Sequence, residues 1–299
     1  MVAVEDDDVA TVLAPRHDVP PEGRSGFTMV EGRQVHYLEW GPVGAPPVLC
    51  LHGGGQTAYM YEELGRAMGV DHYVLAPDLP GHGDSDPLEE FGRHPFAASV
   101  PPLMRTFGLG KAVLIGASLG GMTSITFTAN NPDLVEAIVL IDVGHRLEEE
   151  GVKKIIGFMR AHDSFASLED AASQISAYLP HRKEVRPEGL SRNLRQRPDG
   201  RWVWKHSLGQ RLKAEGDVGD NWQTILEGLE QEAASLRCPV LVLRGAMSDV
   251  LSGEGAEEVA AVIPNARLET VDKAGHLAAG DNPASTVSLV RGFLSEIGW

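Results

Sequence analysis

The chain has 299 residues, 42% of them hydrophobic and 23% charged, with 26 lysines and arginines against 42 aspartates and glutamates and a net charge of −16. That length suits one large α/β domain with an insertion, or two small domains, and the apolar share is enough for a substantial core. The acidic balance argues against a nucleic-acid or anionic-membrane partner, because both reward a basic face.

Residues 1–25 carry an acidic run, Glu5-Asp6-Asp7-Asp8, and the prolines Pro15, Pro20 and Pro21. They read as a loosely packed leader. The leader lacks the basic-then-apolar pattern of a signal peptide. No apolar run approaches the ~20 residues of a membrane span. These features predict a cytoplasmic protein.

Two alternating segments follow, Phe27–Glu31 and Gln34–Trp40, with a hairpin turn at Glu31-Gly32-Arg33. After a Gly/Pro loop, Val48-Leu49-Cys50-Leu51 is continuously apolar, as a strand buried on both faces of a parallel sheet should be. The alternation then repeats. Tyr59–Met68 predicts a helix, His72–Ala76 a strand, and Phe96–Phe107 a weaker helix. Pro101-Pro102 should leave that helix short, late-starting or kinked. Lys111–Ala117 predicts a strand, Leu119–Asn130 a helix and Ala137–Ile141 a strand. Further on come strand Pro239–Leu243, helix Gly253–Ile263, strand Arg267–Val271 and helix Pro283–Ile297. Strands alternating with helices imply an α/β fold with a mostly parallel central sheet and helices on both faces.

Residues 144–236 break the alternation. They are mostly helix-compatible, with charged clusters and little strand character. Four stretches result: a leader (1–25), a first core part (26–143), an insertion (144–236) and a second core part (237–299). The two cysteines, Cys50 and Cys238, fall in or beside predicted core strands and read as buried small hydrophobes.

The pentapeptide Gly116-Ala117-Ser118-Leu119-Gly120 sits between a strand and a helix. The flanking glycines let such a turn close with the serine hydroxyl standing clear at the sheet end. This stretch resembles the nucleophile elbow of the α/β-hydrolase family. Other segments match in the family's order. The loop His52-Gly53-Gly54-Gly55 resembles its His-Gly-Gly-Gly motif. Asp78-Leu79-Pro80-Gly81-His82-Gly83-Asp84-Ser85 resembles the loop after its fourth strand. Ala274-Gly275-His276 resembles its histidine loop. The resemblance spans about 26–143 and 237–299, and the insertion matches the family's helical cap by position alone.

The resemblance implies a catalytic triad. Ser118 is the expected nucleophile and His276 the expected base. The expected acid is Asp249, a few residues past strand Pro239–Leu243. Asp142, at the end of strand Ala137–Ile141, is the alternative acid, set second because the loop around Asp249 matches more residues. The expected oxyanion donors are the backbone N–H groups of Leu119 and Gly54, with Gly53 or Gly55 as alternatives to the latter. His52 is expected to order its loop. His82 and Asp84 read as structural, since no His, Cys and Asp set has zinc-site spacing. No metal or cofactor is implied.

A serine at the elbow favours acyl transfer over the alkyl-ester chemistry of the family's epoxide hydrolases and haloalkane dehalogenases. The implied activity is hydrolysis of a carboxylic ester, lactone or thioester of a small molecule. The alternatives are hydrolysis of a carbon–carbon bond in a ring-cleavage product, cofactor-free perhydrolysis of the haloperoxidase kind, and a non-catalytic ligand-binding role. Residues 181–213 hold ten cations and three acids. Either they attract a carboxylate-bearing substrate or they pair with the acidic core, and the second reading is preferred. Homo-oligomerisation stays open.

Overall fold

The computed structural model describes residues 19–180, 182, 185–206, 208 and 219–299. Most of the expected leader lies outside the described residues. Its last part does not behave as a leader: Val19 is buried, and the first strand, β1, runs Arg24–Val30, earlier than predicted. It pairs antiparallel with β2 (Arg33–Trp40). The turn between them is Glu31-Gly32, with φ of 49° and 77°. Two successive positive φ values match a type I′ hairpin, whose twist suits the strands it joins.

The remaining sheet strands are β3 (Pro47–Leu51), β4 (Tyr73–Pro77), β5 (Ala112–Ala117), β6 (Val135–Ile141), β9 (Val240–Gly245) and β10 (Ala266–Val271). The eight-stranded sheet has the order β1-β2-β4-β3-β5-β6-β9-β10. Only the β1–β2 and β2–β4 pairs are antiparallel. The others are parallel, joined by crossover helices.

Alternate side chains of each central strand enter two cores. Leu49, Leu75, Leu114, Leu140 and Val242 point to one face. Val48, Val74, Val113, Val139 and Leu241 point to the other. Each such side chain contributes about 1.5–3 kcal/mol when withdrawn from water. Helix α1 (Glu62–Met68) covers the second face, while α2 (Arg93–Thr106) and α3 (Leu119–Asn130) cover the first.

Helix α2 departs from expectation. It starts early and runs through Pro101 and Pro102 for 14 residues. Burial of Phe96, Val100, Leu103 and Met104 outweighs the lost backbone bonds. The Ser99 hydroxyl donates to the Phe96 carbonyl at 2.7 Å, and Thr106 donates to the Pro102 carbonyl at 3.0 Å.

The insertion contains α4 (Glu149–Ala161), α5 (Leu168–Tyr178) and the short α6 (Pro187–Leu190). It also holds an unexpected antiparallel pair, β7 (Leu194–Gln196) with β8 (Trp202–Trp204). Trp202-Val203-Trp204 is a β-prone triplet, and its indoles pack with Phe165, Ala171 and Leu194 in a small core of their own. Helix α7 (Gly219–Ser235) falls within the predicted insertion, yet Leu229, Ala233 and the following Leu236 join the sheet's first core. Its C-terminal half therefore belongs to the main domain. Glu232 fixes it there by pairing with Arg93 and accepting the Thr126 hydroxyl at 2.6 Å. Helices α8 (Gly253–Val262), α9 (Ala278–Asp281) and α10 (Pro283–Ile297) complete the chain.

Candidate active site

The C-terminal ends of the parallel strands converge on one place. Strand β5 is buried along its whole length and ends directly in Ser118. Ser118 has φ 47° and ψ −116°, a strained conformation for a residue with a side chain. Both flanking glycines are sterically required. A methyl on Gly116 would lie 2.6 Å from Gly120 O, and one on Gly120 would lie 2.0 Å from Leu51 O. The Ser118 N–H donates to Ile141 O at 3.2 Å, which ties the turn to the end of β6. Helix α3 begins at the next residue, so its positive end faces the serine.

One residue beyond that Ile141 lies Asp142, also at positive φ, 50°. Its side chain is fully buried, and its N–H donates to Leu243 O at 2.7 Å. His276 Nδ1 donates to Asp142 Oδ2 at 2.8 Å. Two more donors reach the same carboxylate: Gly245 N–H to Oδ1 at 2.9 Å and the Ser248 hydroxyl to Oδ2 at 2.5 Å. An ionised carboxylate only accepts, so Nδ1 carries the imidazole proton and Nε2 keeps its lone pair.

The structure therefore brings His276 to the alternative acid, Asp142, and not to the expected one. Asp249 does not meet His276. It is 56% exposed and bonds Lys154 of α4 at 2.9 Å. The cause is local. Ser248 Oγ accepts the N–H groups of Val250 and Leu251 at 3.1 and 3.2 Å, which bends the loop so that these two apolar residues turn inward. Asp249 is left facing outward. Sequence reasoning gave Ser248 no role, although a serine whose hydroxyl can take the N–H groups two and three residues on is a recognisable turn pattern.

The loop carrying His276 is pinned from both sides. Met247 N–H donates to Ala274 O at 2.8 Å, and Gly275 N–H donates to Asp281 Oδ2 at 2.9 Å. Asp281, almost wholly buried, also pairs with Arg182 of the insertion at 2.6 Å.

The glycine loop after β3 stands opposite. Gly53 N–H is engaged by Gln56 Oε1 at 3.0 Å, which removes it from the set of free donors. Gly54 lies against the elbow: a methyl on it would stand 3.9 Å from Leu119 Cβ. His52 orders the loop as expected. Its Nδ1 donates to Gly53 O at 2.8 Å and its Nε2 accepts Leu79 N–H at 2.8 Å. Burial pushes its pKa down, which keeps it neutral.

These loops and the insertion border an open-mouthed cavity of about 1380 Å³. Ser118, Leu119, Gly54 and His276 line its floor. Met122, Ile155, Phe158, Met159, Ile175 and Tyr178 line much of the rest. The cations around it are engaged. Arg192 pairs with Glu62, Arg182 with Asp281, Arg93 with Glu232 and Lys154 with Asp249. Lys205 reaches across to Asp84 at 2.8 Å. Of the cations in residues 181–213, Arg182, Arg192 and Lys205 pair with core acids, while Arg197 pairs with Asp199 of the insertion itself.

Beside the cavity, His82 packs between His52 and His206, with ring centroids 5.2 and 5.8 Å away. Burial lowers the His82 pKa well below the ordinary value and that of His206 to about 4. Among the described residues, His36, Asp78 and Asp84 form one cluster with ligand-type atoms. Those atoms are committed elsewhere. His36 bonds Asp78 at 2.6 Å and Ser25 at 2.9 Å; Asp78 accepts Ala58 N–H at 2.7 Å; Asp84 holds Lys205. Cys50 is buried, whereas Cys238 is half-buried rather than buried, its thiol pushed up to about 11 by desolvation.

Residues 46–283 match the family described as alpha/beta hydrolase fold. The chain is 30% identical over 276 residues, covering 89% of it and 88% of the relative, to esterase Rv0045c of Mycobacterium tuberculosis. A crystal structure of that esterase superimposes with a TM-score of 0.70 at 26% identity, covering 92% of each chain. The chain is also 25% identical over 250 residues, 83% of it and 88% of the relative, to 2-(acetamidomethylene)succinate hydrolase of Mesorhizobium japonicum. A crystal structure of an E-2-(acetamidomethylene)succinate hydrolase gives a TM-score of 0.77 at 22% identity, covering 91% of this chain and 99% of that one.

Proposed function

The chain belongs to the α/β-hydrolase fold family, and on that premise we propose that it is a serine esterase with Ser118 as nucleophile, His276 as base and Asp142 as the acid that orients it. The observation that carries this reading is that a strained Ser118 and His276 line the floor of one largely apolar cavity, with buried Asp142 bonded behind the histidine. Similarity to an esterase over nearly the whole chain supports the same reaction class.

In the proposed cycle, His276 Nε2 takes the Ser118 proton as Oγ attacks the ester carbonyl. Asp142 stabilises the imidazolium that forms. The N–H groups of Gly54 and Leu119 hold the oxyanion, aided by the positive end of α3. His276 then protonates the leaving alcohol, and water hydrolyses the acyl-enzyme by the reverse proton route. Lactones and thioesters are open to the same steps.

The inserted α4 and α5 act as the cap of this site. Their apolar side chains, together with cations already neutralised by carboxylates, favour a neutral substrate with a sizeable apolar acyl group. The cavity exceeds the usual 300–1,000 Å³ of small-ligand sites. The test is hydrolysis of p-nitrophenyl esters from acetate to decanoate by wild type and Ser118→Ala. The proposal expects turnover that rises beyond acetate and disappears in the variant. Equal turnover by both proteins would overturn it.

A further inference from the structure

Asp142 is buried away from water, so its carboxylate depends on the donors the protein supplies. Gly245 N–H fixes Oδ1. His276 and Ser248 share Oδ2, at 2.8 and 2.5 Å. The direction of the Ser248 bond is determined. Its oxygen accepts two backbone N–H groups, from Val250 and Leu251, which occupy both lone pairs. The one remaining hydroxyl function is its proton, and the acceptor in line is Asp142.

We propose that Ser248 is a positioning residue for the hydrolytic reaction, its hydroxyl holding the Asp142 carboxylate aimed at His276. The proposal rests on the reading of Ser118, His276 and Asp142 as the triad. It gives the loop after β9 a function although Asp249 on that loop is turned away. Ser248 contributes a proton where a carboxylate was expected. The hydroxyl also affects the base. Its positive end points at Oδ2 and offsets part of the negative potential felt by His276. Without it, the imidazole holds its proton more strongly.

The test compares Ser248→Ala, Ser248→Thr and Asp142→Asn on a p-nitrophenyl ester, with kcat, KM and the pH profile of kcat/KM measured for each. Ser248→Ala should lower kcat by about tenfold or more, the loss of one hydrogen bond to a charged group. KM should change little, because Ser248 is not among the residues lining the cavity. The acid limb of the profile should move to higher pH. Ser248→Thr keeps the hydroxyl at a half-buried position and should restore both kcat and the limb. A merely structural contact would leave the limb in place. Should the alanine variant fail to fold, Ser248→Cys, nearly isosteric but a weak donor, carries the same comparison. Wild-type kcat and an unmoved limb in Ser248→Ala, with Asp142→Asn inactive, would overturn the role of Ser248 alone. Full activity in Asp142→Asn would overturn the triad reading and the Ser248 role with it.

Discussion

Replacing Asp142 by asparagine removes one charge and turns one acceptor into a donor, and its consequence can be worked out atom by atom. Three donors converge on the carboxylate: Gly245 N–H, the Ser248 hydroxyl and His276 Nδ1–H. Asparagine has one acceptor oxygen. If the oxygen faces His276, the amide NH₂ meets Gly245 N–H, and a buried donor loses its partner at a cost of about 1–3 kcal/mol. If the NH₂ faces His276, the imidazole must accept at Nδ1 and carry its proton on Nε2. It is then the wrong tautomer to take a proton from Ser118. Either way the imidazolium loses its counter-charge. A drop in kcat of about 10³–10⁴-fold follows, equivalent to about 4–5.5 kcal/mol of barrier. Asp249→Asn should stay within about twofold of wild type, since an exposed ion pair such as Asp249–Lys154 contributes little. Steady-state hydrolysis of p-nitrophenyl butyrate decides, with thermal melts to confirm that both variants fold. Loss of activity in Asp249→Asn with retention in Asp142→Asn would refute the reasoning.

Gly120→Ala should be destabilised by about 3 kcal/mol or more, because its methyl would meet the backbone oxygens of Leu51 and His52 at 2.0 and 2.6 Å. Gly157→Ala, in the exposed middle of α4 with no neighbour within 4 Å, should be more stable by about 0.5–1 kcal/mol, so paired urea melts test the argument. Stability should also fall with acid. The folded-state pKa of His206 is lowered from 6.5 to about 4 by burial, so the unfolded chain binds more protons between those values. The stabilisation is complete above about pH 6.5 and is lost as pH falls toward 4, about 3 kcal/mol for this residue. Urea melts at pH 7.5, 6 and 5 should show the decline, and His206→Gln should flatten it. Finally, because the cations lining the cavity are neutralised by carboxylates, a neutral hexanoyl ester should exceed a matched ester bearing a terminal carboxylate by about tenfold in kcat/KM. A preference for the anionic ester would mean that an ion pair opens to receive substrate.

The central strands and the elbow were legible because their signals are local. Ala112–Ala117 is apolar throughout and ends in Ser118 between two glycines, and the structure shows what each glycine avoids. The Glu31-Gly32 hairpin was equally legible. The full extent of helix α2 was not, since the local penalty of Pro101-Pro102 is set against burial of side chains on a face defined only by the folded sheet. The same holds for α7, whose halves serve different partners: Ile225 lines the cavity while Leu229 and Ala233 join the sheet core.

The choice of carboxylate shows where sequence stops and tertiary structure takes over. By itself the chain determined the order of strands and helices, the serine at the sharp turn, and a histidine loop following the last strand. It offered two aspartates after strand ends, Asp249 and Asp142, and favoured Asp249. What brings Asp142 to the histidine is not in its neighbourhood along the chain. β6 lies between β5 and β9, so Asp142 emerges between the elbow and the loop after β9. The Ser248 turn buries Val250 and Leu251 and swings Asp249 into solvent. Hydrogen bonds act over about 3 Å, whereas Asp142 and His276 are 134 residues apart in sequence. Only the packed sheet brings them together.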